Sequence, residues 1–145
     1  MSKNANKRAN TLLAIVRNSQ KLGGKKTVIE DEFNEFLRCS SISPLRRRRL
    51  LKMLHAFRGM ETAVSEVVNF HNVQLPPGRP PGLGTYLVSL AHHNYLPNQI
   101  QSSCQKNVVS LRNKIAHGAG HYPQNDAHLD TSLRHVEMCL AFLLK

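Results

Sequence analysis

PNQIQSSCQKNVVSLRNKIAHGAG, residues 97–120, decides the fold class. Ile100, Cys104, Val108, Leu111 and Ile115 recur at intervals of three and four, which sets them on one face of an α-helix. Pro97 starts this helix, since proline is tolerated in a first turn. Gly118 and Gly120 end it, because glycine accepts the backbone angles that stop a helix.

The same period extends in both directions. Downstream, Leu129, Leu133, Val136, Leu140 and Leu143 predict a final helix beginning near Asp126. Upstream, Tyr86, Leu87, Leu90 and Ala91 predict a short helix. Before it, LPPGRPPGLG from Leu75 to Gly84 is a loop, because its four prolines remove donors and fix backbone angles. That loop either folds over a cleft as a substrate guide, with Arg79 as its charge, or serves as a rigid connector. No strand precedes it and no Gly-Lys-Ser/Thr follows, so it is not a phosphate-cradling loop.

From Ser43-Pro44 a long helix runs to about Asn72, with Leu50, Leu54, Phe57, Val64 and Val68 as its inner stripe. Gly59 lies in its middle and leaves open a bend or a helix held by packing. Thr27 and Glu30 form a capping-box pattern at the start of a helix bearing Ile29, Phe33, Phe36 and Leu37, with Glu30, Asp31 and Glu32 in the first turn. Leu12, Leu13 and Val16 carry the first helix, which ends near Gly23-Gly24. Residues 1–8 are expected to be a flexible basic N-terminus. Nothing alternates like a strand and nothing repeats, so the expectation for 1–145 is one all-α domain, an antiparallel bundle of about five to six helices.

Twenty Lys and Arg stand against nine Asp and Glu, a net charge of +11 that favours a polyanionic partner through counterion release. The same balance also suits an anionic membrane or an acidic protein; RNA is the expected partner. With no Trp and three Tyr the chain has few stacking platforms, so sequence-specific single-strand reading is not advertised. No apolar run is long enough for a membrane span and no signal-type run opens the chain, so a soluble cytoplasmic protein without membrane association is expected. Cys39, Cys104 and Cys139 are an odd, widely spaced set that suggests neither disulfides nor a thiolate zinc site. They read as small buried hydrophobes.

Arg112, Asn113 and His117 put a guanidinium, an amide and an imidazole at the end of the residue 97–117 helix. Asn113 and His117 share a face, whereas Arg112 and His117 lie roughly 140° apart on a regular helix. Either Gly118 lets His117 swing, or a two-fold dimer lays a second copy of the helix alongside; the dimer is favoured. A symmetric cleft of that kind supplies the parts for metal-free RNA cleavage. Arg112 would stabilise charge on a phosphodiester, and His117 would exchange protons with the 2′-hydroxyl and the departing 5′-oxygen. Asn113 would orient the imidazole or the phosphate.

The RNKIAHG string also resembles the signature of the HEPN superfamily, an Arg followed by four to six residues and a His, commonly with Asn, Asp or His directly after the Arg. Those positions fall on Arg112, Asn113 and His117, with four residues intervening. The resemblance implies a dimeric, metal-independent ribonuclease of helical fold, often found in toxin–antitoxin, CRISPR-linked or phage-defence systems, and it implies inactive binding relatives as well. An antitoxin or a larger assembly is then a candidate partner. HEPN toxins controlled by a minimal nucleotidyltransferase carry a Tyr two residues after the His. Ala119 stands there and the nearest tyrosine is Tyr122, which argues against regulation by adenylylation.

The blander alternative makes Arg112 the neutraliser of a carboxylate or helix terminus and His117 a cap at a helix end, where basic residues gather for dipole reasons. Lys114, Arg46, Arg49 and Arg79 are the further candidate RNA contacts, although four consecutive arginines from Arg46 to Arg49 point in every direction around a helix. His117 and His121, with His128 nearby, do not form a helical HxxxH clamp because HGAGH contains two glycines. No metal or cofactor is expected. His92 and His93 point to different sides of a helix and receive no role.

Overall fold

The structure, a computed structural model, describes residues 3–118, 120 and 123–145. Among these residues every regular element is helical: α1 (Lys3–Asn18), α2 (Lys26–Arg38), α3 (Leu45–Phe70), α4 (Leu83–His92), α5 and α6 (Asp126–Leu143). Helix α5 is one uninterrupted stretch made of Asn98–Cys104, a π-helical turn Gln105–Val109, and Ser110–His117. The six helices form a bundle around one hydrophobic cluster in which α3 packs against α2, α4 and α6, α1 closes on α2 and α6, and α5 lies against α4 and α6. No helix among the described residues is long and apolar enough to cross a membrane.

Several starts differ from the expectation. The chain is helical from Lys3, so the described part of the predicted flexible N-terminus, 3–8, belongs to α1. Ala5 and Ala9 carry the Leu12 and Val16 stripe two turns further back, and both are fully buried. Polar contacts fix the same turns: Asn6 Oδ1 accepts from Lys52 at 2.7 Å, and Arg8 pairs with Glu137 at 2.7 Å.

Thr27 does not cap α2. A 3-10 turn, Gly23–Lys25, begins at a Gly23 φ of +53° and runs directly into the helix, so Lys25 is already helical and no extended capping residue remains. Glu30, Asp31 and Glu32 therefore lie beyond the first turn, where Glu32 reaches His55 and Arg58 of α3, each at 3.1 Å.

Pro44, not Ser43, occupies the N-cap position of α3. Phe57, Val64 and Val68 are buried as predicted, whereas Leu50 and Leu54 are half-buried and Met53, Ala56, Met60, Ala63 and Val67 take the deeper positions. The buried face is broad because α3 has neighbours on several sides. It admits even Lys52, 3% exposed, whose ammonium sits 4.8 Å over the Phe36 ring; burial pushes its pKa down. Gly59 marks no break in α3. A Cβ there would stand 3.0 Å from the Phe33 ring, so the glycine lets α2 and α3 approach closely.

At the other end, Asn125 caps α6 by accepting from the His128 amide at 2.8 Å, and all five predicted apolar positions of α6 are buried. Cys39, Cys104 and Cys139 are buried free thiols.

Candidate functional site

The π-helical turn in α5 determines where Arg112 points. Into that turn the predicted stripe faces the core, with Cys104 just before it and Val108 within it fully buried. A π turn carries one residue more than an α turn and advances the face by roughly 100°. Both Val108 and Val109 are then buried, while Leu111 and Ile115 are only half-buried and Ser110–His117 contains no buried residue.

Arg112 comes round toward α3, where its Nη2 donates to Glu61 Oε2 at 3.2 Å and Oε1 at 3.4 Å. Its Nη1 donates to Asn113 Oδ1 at 3.1 Å. Glu61 Oε1 also accepts the Leu83 amide at 3.0 Å, the first of the otherwise unpaired donors of α4. One carboxylate thus joins α3, α4 and α5. Sequence reasoning missed Glu61. It is 51 residues from Arg112, and its only signal was an acidic group beside the core position Met60 in a chain poor in acids.

Beside this junction lies a cavity of about 460 Å³ whose wall includes Arg79, Arg112, Asn113, Gln101 and Gln105, together with the loop and the first turn of α4. The loop expected over 75–84 ends at Gly82, because Leu83 and Gly84 already belong to α4, and its residues 79–82 line the cavity beside Arg112. The close approach of α4 to α5 depends on Gly84, where a Cβ would meet Val109 Cγ1 at 3.3 Å. Two guanidinium groups face one carboxylate here, so the pocket holds net positive charge next to the amide of Asn113. That set can receive an anion, provided Arg112 exchanges its carboxylate partner for the incoming one.

The other predicted residues lie apart from the cavity. His117 is the last residue of α5, exposed and absent from the cavity wall. Because Ser110–His117 is regular α-helix, the roughly 140° between it and Arg112 stands. Lys114 is exposed on the same segment, and Arg46 is exposed near the start of α3. Arg49 serves the fold: its Nε is 3.0 Å from Asp126, tying α3 to the N-terminus of α6, and its side chain is 19% exposed. It lies about 18 Å along α3 from Glu61.

His128 Nδ1 accepts the Gln124 amide at 3.3 Å, so this ring belongs to the cap of α6. No group of three metal-binding side chains occurs among the described residues. His121, Ala119 and Tyr122, which entered the metal and adenylylation readings, lie outside the described residues.

Comparison with protein families, curated proteins and solved structures finds no match for this chain.

Proposed function

We propose that this chain is a metal-independent endoribonuclease of HEPN type whose active site is completed by a second copy of itself. The observation that carries the reading is the placement of Arg112 and Asn113 side by side on the wall of a positively charged cavity of about 460 Å³. Its support from sequence is the spacing of those residues to His117 and the net charge of +11. The second copy is argued from the last two turns of α5, which expose His117 and leave Leu111 and Ile115 half-buried. A two-fold contact along this segment would cover those side chains and bring the partner copy of the helix to the cavity.

In the proposed reaction a phosphodiester takes the place of the Glu61 carboxylate on Arg112. One imidazole removes the proton of the ribose 2′-hydroxyl, and the 2′-oxygen forms a bond to phosphorus. The bond from phosphorus to the 5′-oxygen breaks, and the second imidazole protonates that oxygen. The products are a 2′,3′-cyclic phosphate and a 5′-hydroxyl. An antitoxin or larger assembly would act by covering this face.

A second reading, RNA binding without cleavage, is favoured by the Glu61 contact to Arg112 and by the absence of His117 from the cavity wall. Incubating wild-type and His117→Ala proteins with RNA in EDTA separates the two. The nuclease reading expects cyclic-phosphate ends in EDTA and a loss of about 10²-fold or more in the variant. Cleavage abolished by the chelator, or equal in both proteins, rejects it. Binding without turnover by the wild type selects the second reading.

A further inference from the structure

The cavity at Arg112 continues along α4. A second cavity of about 480 Å³ lies between that helix and the 74–79 segment, and the two share Arg79 and Val88 in their walls. Together they form a groove running from Arg112 and Asn113 to His92 and His93 at the far end of α4. Along this stretch the first cavity is lined by residues 83, 84, 85 and 88 and the second by residues 88, 89, 92 and 93, so their mean positions are about 8 Å apart along the helix, within the reach of one nucleotide.

The two halves differ in chemistry. The first holds Arg112, the three amides of Asn113, Gln101 and Gln105 and the start of α4, all suited to an anion. The second has an apolar wall of Leu75, Pro76, Pro77 and Val88, with Val88 38% exposed. At its end stand His92 and His93, exposed rings in edge-to-face contact with centroids 5.2 Å apart. An apolar wall closed by imidazole rings suits a nucleobase, which packs its apolar faces against such side chains and stacks on aromatic rings through its π face. Arg79, common to both cavities, stands where a connecting phosphate would pass.

We propose that the second cavity is a nucleobase subsite for single-stranded RNA, sequence-tolerant and placed one nucleotide from the phosphate at Arg112. This assignment rests on the RNA reading of the Arg112 cavity. It gives His92 and Val88 a role in holding the strand and makes Arg79 the link between the subsites.

The test measures two probes on the full chain. A labelled hexauridylate carrying 2′-O-methyl groups, which block cleavage, spans the groove; inorganic phosphate, which has no base, reaches only the Arg112 cavity. His92→Ala and Val88→Glu change exposed side chains, so thermal melting should match wild type. Each is expected to weaken hexamer binding about tenfold, the scale of one lost base stack, and His92→Ala should leave phosphate binding unchanged. Arg112→Ala weakens both probes. If Arg112→Ala weakens both while His92→Ala and Val88→Glu bind the hexamer like wild type, the base subsite is wrong and the RNA reading survives. If Arg112→Ala changes neither probe, the RNA reading of this cavity fails and the subsite falls with it.

Discussion

Replacing Glu61 by Gln tests whether Arg112 is shared between the fold and an RNA phosphate. The carboxylate oxygens stand 3.2 and 3.4 Å from Arg112 Nη2, with the two side chains 27% and 33% exposed. At that exposure solvent screens the pair strongly, and a contribution of about 0.2–1 kcal/mol applies. Gln keeps a carbonyl oxygen for the Leu83 amide, so the tie to α4 is retained. Thermal stability should fall by about 1 kcal/mol or less, roughly 2–4 °C in Tm for a chain of this size. RNA binding should move the other way, because phosphate no longer displaces a carboxylate. The same 1 kcal/mol limits the gain to about fivefold.

The assay is anisotropy of a labelled, cleavage-blocked oligoribonucleotide at fixed salt, read for Glu61→Gln, Arg112→Ala and the double variant. The gain should shrink below about twofold once Arg112 is absent, which is the coupling a double-mutant cycle isolates. Weaker or unchanged binding by Glu61→Gln refutes the exchange of partners on Arg112. An equal gain in the Arg112→Ala background assigns it to general charge.

Arg112→Ala should lower the slope of log K against log salt by about 0.7, the value for one phosphate contact on a single strand, whereas Arg49→Ala should lower Tm and leave that slope unchanged; equal slope changes in both would remove the distinction between them. Gly59→Ala gains about 1 kcal/mol of helix propensity but forces a methyl to 3.0 Å from the fully buried Phe33 ring, an overpacking cost of about 1–3 kcal/mol. A lower Tm is expected, and a higher one contradicts the close approach of α2 and α3. His71 stacks on Tyr95 at 3.9 Å, and burial, reinforced by Lys21, holds its pKa below 6.5. The fold therefore favours the neutral ring, and the stability present above pH 6.5 is lost as pH falls through the lowered value. His71→Phe keeps the stack without the titration, so wild type should lose stability relative to it in acid; parallel pH–stability curves would exclude this.

Helix identity was legible in the residues because apolar spacing of three and four depends only on helical geometry. It located α6 residue by residue and marked the loop before α4 by its prolines, although α4 begins at Leu83, two residues inside the predicted 75–84 stretch. Local signals at helix starts were less faithful. Thr27 has the chemistry of a cap, but the turn at Gly23 left it inside α2. The predicted frayed terminus failed because two small alanines, Ala5 and Ala9, are enough to continue a buried face when α2 and α6 stand close to it.

The sequence by itself determined that Arg112, Asn113 and His117 share a helix and that the chain carries a net charge of +11, since these follow from chain order and composition alone. Tertiary structure decided which of them meet. Packing α5 against α4 and α6 accompanies a π turn, and the extra residue rotates Arg112 toward a carboxylate 51 positions away while leaving His117 in solvent. A periodic pattern carries no information about where one residue too many will be absorbed, because that depends on the surfaces of the neighbouring helices.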